Sequence, residues 1–267
     1  MPESRHDPIR GLLNLHLAEG RVQVARYLPS ERLGGLVEHY WSVRWDMAGG
    51  EPFTSETLPY PSVHLTLEGG EWRLTGVPTR RFERTLTGVG MVFGVKFRPG
   101  GFRPVLGSSV AAVTDRVLAA ADLLPALVNQ LETDETRSDA WWFEHVERAL
   151  GAHVPRETDP RVDQVAGLVD AIAADRGVVR VEQIVALADM SQRALQRLFR
   201  EYVGVSPKWV IQRYRLFEAA DRLAAGETDG AQVAQELGYF DQAHFIRDFK
   251  ALVGASPGAY AAARHVA

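Results

Sequence analysis

"MSQRALQRLFREYVGVSP", Met190 to Pro207, and "FDQAHFIRDFKALVGASP", Phe240 to Pro257, are two versions of one phrase. At an offset of 50, Gln192 aligns with Gln242, Arg197 with Arg247, Phe199 with Phe249 and Arg200 with Lys250, and both copies close on Val-Gly, one variable residue and Ser-Pro. Repetition at a fixed spacing marks a repeated structural unit. Ser191 and Asp241 are helix N-cap types, Gly204 and Gly254 suit the left-handed residue just past a helix end, and each Ser-Pro offers an N-cap followed by proline at the first helical position. Each copy therefore reads as one helix of about 12 residues followed by the start of another.

A shorter helix precedes each copy, "VEQIVALA" before the first and "GAQVAQEL" before the second. These align one residue out of step, with Ile184 on Val233 and Val185 on Ala234, so the second inter-helix turn, "GYF", is expected to be one residue longer than the first. Helix, short turn, helix, written twice, is the helix-turn-helix pattern, in which the second helix of each pair enters a major groove. Periodicity alone also fits a plain helical bundle, and the outward face decides between the two. With Leu195, Leu198, Phe199 and Tyr202 as the buried stripe, the first copy leaves Gln192, Arg193, Gln196, Arg197 and Arg200 outside. With Phe245, Phe249 and Leu252 buried, the second leaves Gln242, Ala243, Ile246, Arg247 and Lys250. Arg and Gln pair with guanine and adenine edges through two parallel hydrogen bonds. Between the units, "SPKWVIQRYRLFEAADRLAAG" places Val210, Tyr214, Phe217, Ala220 and Ala224 on one face and ends at Gly226. A continuous helix over residues 207–225 would be roughly 28 Å long, close to the spacing of about 34 Å between successive major grooves.

The texture of the chain changes near residue 115. Before it, "EGRVQVARYLP", "LVEHYWSVRWDM", "PSVHLTLEG", "EWRLTGV" and "GMVFGVKFRP" are short, rich in β-branched and aromatic residues and punctuated by Gly and Pro, which are strand and turn signals. From Asp115 onward "RVLAAADLLPALVNQLE" and "SDAWWFEHVERALGAHV" carry helical periodicity, and "PRETDPR" reads as a hinge. The expected organisation of the 267 residues is thus a β-rich domain over 1–115, a helical segment over 116–158 and an all-α domain over 159–267. The fold class is α+β in two domains, a mostly-β barrel or sandwich followed by helices. The cluster Trp141-Trp142-Phe143 is too large for one helix face and points to an interface.

Composition excludes several chemistries. There is no cysteine, hence no disulfide, thiol nucleophile or cysteine zinc site. The eight histidines form no H-x-H or H-E-x-x-H pair, and neither the nucleophile elbow nor a phosphate-binding glycine loop occurs, so no metal, cofactor or enzymatic role is expected. No run of about 18 apolar residues is present to span a bilayer, and the first 20 residues lack a cleavage-site pattern, which reads as a cytoplasmic protein without a membrane partner. From Arg161 onward 13 Lys and Arg face 13 Asp and Glu, so the net charge of −4 lies in residues 1–160 and nonspecific attraction to DNA is expected to be weak and local.

Residues 161–262 resemble the DNA-binding domain of the AraC/XylS family of bacterial transcription regulators. The likeness is carried by "VAQELGYFDQAHFIRDFKALVGASPGAY", where the family has its signature, and by "SQRALQRLFREYVGVSP". The resemblance implies seven helices, with two helix-turn-helix units joined by a long helix. Base-reading positions then fall on Arg193, Gln196 and Arg197 and on Gln242, Ala243, Ile246 and Arg247, and phosphate contacts on Lys208, Lys250 and the helix start at Ser206. Ala243 and Ile246 depart from a hydrogen-bonding pattern: the second unit either reads thymine methyls or only grips the backbone through Arg247.

The resemblance extends to "LVEHYWSVRWD", "LPYPSVHL" and "VFGVKFRPGGFRP", which are similar to an N-terminal domain carried by such regulators, commonly a cupin-like barrel that binds an effector or dimerises. In a closed barrel His39, Trp41, Trp45, His64 and Phe93 would line a pocket, with Arg98 as an anion partner; the alternative is that they are ordinary core. The implied function is a sequence-specific transcription regulator controlled by a small molecule. The implied partners are double-stranded DNA, that effector, RNA polymerase and a second copy of the chain. Two alternatives stay open: a ligand-independent DNA-binding protein whose first domain only dimerises, and an enzyme fused to a DNA reader, although alkyl-transfer repair would need the cysteine that is missing.

Overall fold

The computed structural model describes residues 20–157, 159–226 and 230–265. The chain divides into two compact units, one built on the residues up to Ala166 and including Arg200–Gly204, the other on Gly167–Phe199 and Val205–Ala267.

The first unit is a β-sheet covered on one face by a helix. Its strands are β1 (Val22–Tyr27), β2 (Val37–Asp46), β3 (Phe53–Thr57), β4 (His64–Glu68), β5 (Glu71–Thr75), β6 (Phe82–Leu86), β7 (Val89–Phe97) and β8 (Val117–Ala119). Six of them form an antiparallel sheet in the order β1-β2-β7-β4-β5-β8, and β3 pairs with β6 in a separate ribbon. Among the described residues no ladder joins β1 to β8. The layout is that of an open sheet with a ribbon packed on it, and Phe53 and Leu86 of the ribbon close on Trp45, Met47 and Val92 of the sheet.

Alternation along the strands divides the aromatics between two faces. Tyr40, Phe93 and Trp72 point to the face covered by helix α4 (Asp139–His153), where Trp142 lies 5.9 Å from Phe93 and 5.8 Å from Trp72. Phe143 stacks on Tyr27 at 5.5 Å and meets Tyr40 edge-on at 5.2 Å. Polar anchors fix the helix: Ser42 and Arg44 donate to Asp139 at 2.8 and 2.9 Å, and Tyr40 donates to Glu147 at 2.5 Å. The aromatic cluster of α4 thus completes the core of its own unit, and Trp141 stacks on His145, where the sequence pointed to an interface. On the other face Trp41 and Trp45 lie over Gly94 and Gly90, where an added Cβ would come within 2.3 and 2.4 Å of the indoles.

The stretch from Arg116 to Glu132 is not the helical segment its periodicity suggests. Val117–Ala119 adds a last strand to β5, and two four-residue helices follow, α2 (Ala120–Leu123) and α3 (Pro125–Val128), after the short α1 (Arg103–Leu106). Pro125 lacks the N–H that a continuous helix would need there, and it opens α3 instead.

From Pro160 onward the described residues form only helices, α5 (Pro160–Ala174), α6 (Val181–Ala188), α7 (Gln192–Tyr202), α8 (Pro207–Ala224), α9 (Gly230–Glu236), α10 (Gln242–Val253) and α11 (Pro257–His265), and the second unit takes α5 from Gly167 and α7 as far as Phe199. All four expected N-caps are formed. Ser191 accepts from Ala194 N–H at 3.2 Å, Ser206 from Trp209 N–H at 3.2 Å, Asp241 from His244 N–H at 2.7 Å and Ser256 from Ala259 N–H at 3.3 Å. The 18 residues of α8 span about 27 Å. This helix is buried on more sides than one stripe: Val210, Phe217 and Ala220 are core as expected, Tyr214 is half-buried and Ala224 exposed, and Ile211, Arg213, Arg215, Leu216 and Ala219 are buried as well. Helices α6, α9, α10 and α11 all pack against it, so it is the axis of the unit.

Candidate nucleic-acid interface

Two helix pairs, α6–α7 and α9–α10, repeat the same local construction. Ile184 and Val233, both almost fully buried, anchor the first helix of each pair. The turn between helices begins on a left-handed residue, Asp189 (φ 48°) in the first pair and Gly238 (φ 78°) in the second. From there one residue, Met190, leads to the cap Ser191 but two, Tyr239 and Phe240, to the cap Asp241, which accounts for the longer second turn. In the second pair, Tyr239 N–H closes that turn on Ala234 C=O at 3.0 Å, and its ring packs on Phe245 at 5.3 Å.

The recognition helices then present matching faces. Leu195, Leu198, Phe199 and Tyr202 of α7 are buried, as are Phe245, Phe249 and Leu252 of α10, where Phe249 lies 5.6 Å from both Phe245 and Tyr260. Gln192, Arg193, Gln196, Arg197 and Arg200 are exposed on α7, and Gln242, Ala243, Ile246, Arg247 and Lys250 on α10. Lys208 is exposed in the first turn of α8. The structure therefore brings each group of expected DNA-contacting residues together on one helix face.

Charge use separates these cations from the others of the same unit. Arg222 pairs with Glu236 at 2.7 Å and Arg215 with Glu218 at 2.9 Å, and Arg176 with Glu218 at 3.4 Å. Arg213 lies 4.5 Å over the Trp209 ring, and burial holds its guanidinium down to about 10 against the opposing pull of Tyr239 and Asp248. Arg193, Arg197, Arg247, Lys208 and Lys250 have no carboxylate partner among the described residues. Unpaired cations on the outer face of a capped helix are free to meet phosphate oxygens or base edges.

Residues 184–263 match the model of a helix-turn-helix domain, and residues 25–119 match a domain of unknown function, DUF6597. Over 80 residues the chain is 35% identical to an uncharacterized HTH-type transcriptional regulator of Haemophilus influenzae and 34% identical to the HTH-type transcriptional regulator MtrA of Neisseria gonorrhoeae. Each alignment covers 30% of this chain and 27% of the relative, so the chain spans about a quarter of the length of these relatives. The DNA-binding domain of AdpA, solved in complex with a target DNA, is 29% identical, with 41% of this chain and 96% of that one covered and a TM-score of 0.33, too low for the superposition to bear on geometry. The C-terminal domain is an AraC-type helix-turn-helix domain. Its seven helices, its long central α8 and its two recognition helices are those that the resemblance to AraC-type domains implies.

In the unit that precedes the AraC-type domain, register rather than sequence proximity assembles a second polar group. His39 of β2 and His64 of β4 both stand opposite Lys96 of β7, which makes a row across three adjacent strands. Lys96 donates to Glu38 at 2.8 Å and sits 4.5 Å over the Tyr60 ring, and Trp41 meets His64 edge-on at 6.1 Å. Burial and the charge of Lys96 push His64 down to about 3, and burial also lowers His39. Burial opposes ionisation of Glu38, yet the hydrogen bonds and charges of His39 and Lys96 prevail and hold it at about 2. Of the expected effector residues, His39, Trp41, Trp45 and His64 share this face. Phe93 is fully buried on the opposite face, against Tyr40 and Trp142, and Arg98 follows β7 and donates to Gly34 C=O at 3.5 Å. An open depression of about 690 Å³ lies beside Trp45 and Gly90, lined also by Arg21 and Arg44.

Three residues of these sites carry little signal in the sequence. Glu38 pairs with its neighbour His39, whereas Lys96 meets both histidines only through strand register, which no local pattern announces. Phe240, in the second turn, is 99% exposed; a lone aromatic between "GY" and the capping Asp241 was the available signal.

Proposed function

We propose that the chain is a sequence-specific DNA-binding transcription regulator that docks α7 and α10 in successive major grooves, with α8 setting their spacing. The reading rests on one observation: at matched repeat positions both helices expose unpaired Arg, Lys and Gln while their other faces are core. Arg193, Gln196 and Arg197 read base edges in the first groove, Gln242 and Arg247 in the second, and Arg200, Lys208 and Lys250 hold phosphates. Such a protein works in the cytoplasm, where RNA polymerase and a second copy of the chain are its further partners, and the reading needs no catalysis.

A second element of the reading concerns control. The His39–Lys96–His64 row beside Trp41 and Trp45 supports a small-molecule site on the first unit, in preference to a unit that serves dimerisation alone. A thermal-shift screen with metabolites separates the two, since a ligand that binds only the folded state raises its melting temperature.

The DNA reading is tested by selecting preferred duplexes from a random library with the full chain and titrating variants across salt. Arg197→Ala is expected to lose about 1–3 kcal/mol on the preferred site and to relax the base choice at one position. Lys250→Ala is expected to weaken all sequences alike and to reduce the salt slope by about one unit. An Arg197→Ala variant that keeps full discrimination at every position overturns the role of α7 as a base reader.

A further inference from the structure

We propose that the second recognition helix selects thymine through the 5-methyl group, by an apolar strip made of Phe240, Ala243 and Ile246. The proposal rests on the double-reader function above and assigns the specificity of its second half. The two copies differ most sharply at these positions. At the offset of 50 the residues opposite Phe240, Ala243 and Ile246 are Met190, Arg193 and Gln196. Two long hydrogen-bonding side chains in the first copy are thus replaced by two apolar ones in the second, and the flexible Met by an aromatic ring.

The strip is open to solvent. Phe240 is 99% exposed and Ile246 37% exposed, and Ala243 is exposed between them. They follow one another at three-residue intervals from the residue before the cap into the second turn of α10, the part of a recognition helix that faces base edges. Phe240 stands fully exposed on a unit whose other phenylalanines, Phe199, Phe217, Phe245 and Phe249, are all buried, and Ile246 is exposed beside it. The thymine methyl is the apolar group that a base pair displays in the major groove, and contact with Ala or Phe side chains is its usual mode of recognition. Gln242 and Arg247 flank the strip and Lys250 lies one turn beyond, so polar and cationic groups hold the apolar strip to the duplex rather than to an apolar protein surface. The alternative of a backbone grip through Arg247 alone leaves Phe240, Ala243 and Ile246 without a role.

Deoxyuridine in place of thymidine removes the methyl and leaves every hydrogen-bonding group of the base unchanged. The test uses the full chain on its preferred duplex, with each thymine replaced singly by uracil. Affinity is expected to fall about 3- to 10-fold, the worth of one buried methyl contact, at one or more thymines about one helical turn from the position relaxed by Arg197→Ala. Cytosine at the same position is expected to bind weakly and 5-methylcytosine to recover part of the loss. Ile246→Gln, which copies the first unit at an exposed site, is expected to abolish the sensitivity to uracil at one position while the helix content stays that of the parent. Phe240→Ser tests the end of the strip in the same assay, and unchanged DNA affinity would remove Phe240 from the strip in favour of a protein partner. A preferred site that binds equally well with thymine or uracil throughout overturns the inference and leaves the double-reader function standing. Failure to find any preferred site overturns that function itself.

Discussion

Lys96 stands between two histidines on the Trp41 face of the sheet, and its charge gives the first unit an acid-sensitive point. His64 is held at about 3 against an ordinary 6.5, because burial and Lys96 disfavour its charged form and Glu38 offsets this only in part. His39 also disfavours that charge, and is itself lowered by burial, Lys96 and Arg26. Between these values the unfolded chain binds a proton that the folded chain does not, so stability is fully present above about pH 6.5 and falls as pH drops towards 3. Glu38, held at about 2 against an ordinary 4.5, adds a further loss below 4.5 with the same sign. Melting temperature is therefore expected to fall between about pH 7 and about pH 5, and to fall less in His64→Gln, which removes the titrating group. Equal slopes in the two proteins would show that His64 titrates as an ordinary surface histidine. The composition of this site was visible in the sequence as two scattered histidines and two tryptophans. Its arrangement was not, because a shift of one residue in the β2–β7 register would send every side chain to the other face.

At the scale of elements, the repeat makes a comparison available within one molecule. Phe199 and Phe249 are both fully buried at matched positions, each the aromatic pivot of its recognition helix. Phe249→Ala is expected to cost about 3–5 kcal/mol, because Phe245 and Tyr260 both lose a ring 5.6 Å away and α10 has only 12 residues with which to compensate. Denaturant unfolding followed by far-ultraviolet circular dichroism measures it, and unchanged stability would mean that the repeated Phe is not a core residue. The helical pairs were legible down to the extra residue in the second turn, since caps, left-handed residues and 3.6-residue periodicity are all local signals. The strands β3, β6 and β8 were not. "FTSET" and "FERTL" lack an alternating apolar face because their buried residues, Phe53 and Leu86, form a single pair at one end of the ribbon, and "VLA" is too short to show a period. Of the two readings open for Phe93, pocket lining or core, pairing with β2 and β4 turns it to the α4 side and into the core. The place of Trp142 in the core is equally hidden from local pattern, because its partners, Phe93 and Trp72, are far away in sequence.

For the molecule as a whole, the distribution of charge decides what the DNA-binding part can do alone. Residues 161–267 carry no net charge, with 13 cations against 13 anions, so long-range attraction to DNA adds little. Binding must then come from the cations that lack internal partners on the outer faces of α7, α8 and α10. All of these lie after Pro155, and Val169, Ile184, Phe199, Val210, Phe217, Phe245 and Phe249, on helices from α5 to α10, are buried. A fragment of residues 156–267 is therefore expected to fold as a helical protein and to select the same duplex as the full chain. If Arg200, Lys208 and Lys250 each neutralise one phosphate, the logarithm of its affinity is expected to fall with the logarithm of salt at a slope of about −3. That is shallow for a DNA-binding protein and follows from the small number of phosphates contacted. Fluorescence anisotropy titrations at several salt concentrations give the slope, and base-substituted duplexes in the same series give the selectivity. A soluble, helical fragment that binds every duplex equally, with a steep salt dependence, would show that α7 and α10 meet only the backbone. The repeat would then be scaffold, and its matched arginines would serve general adhesion to DNA rather than the choice of a site.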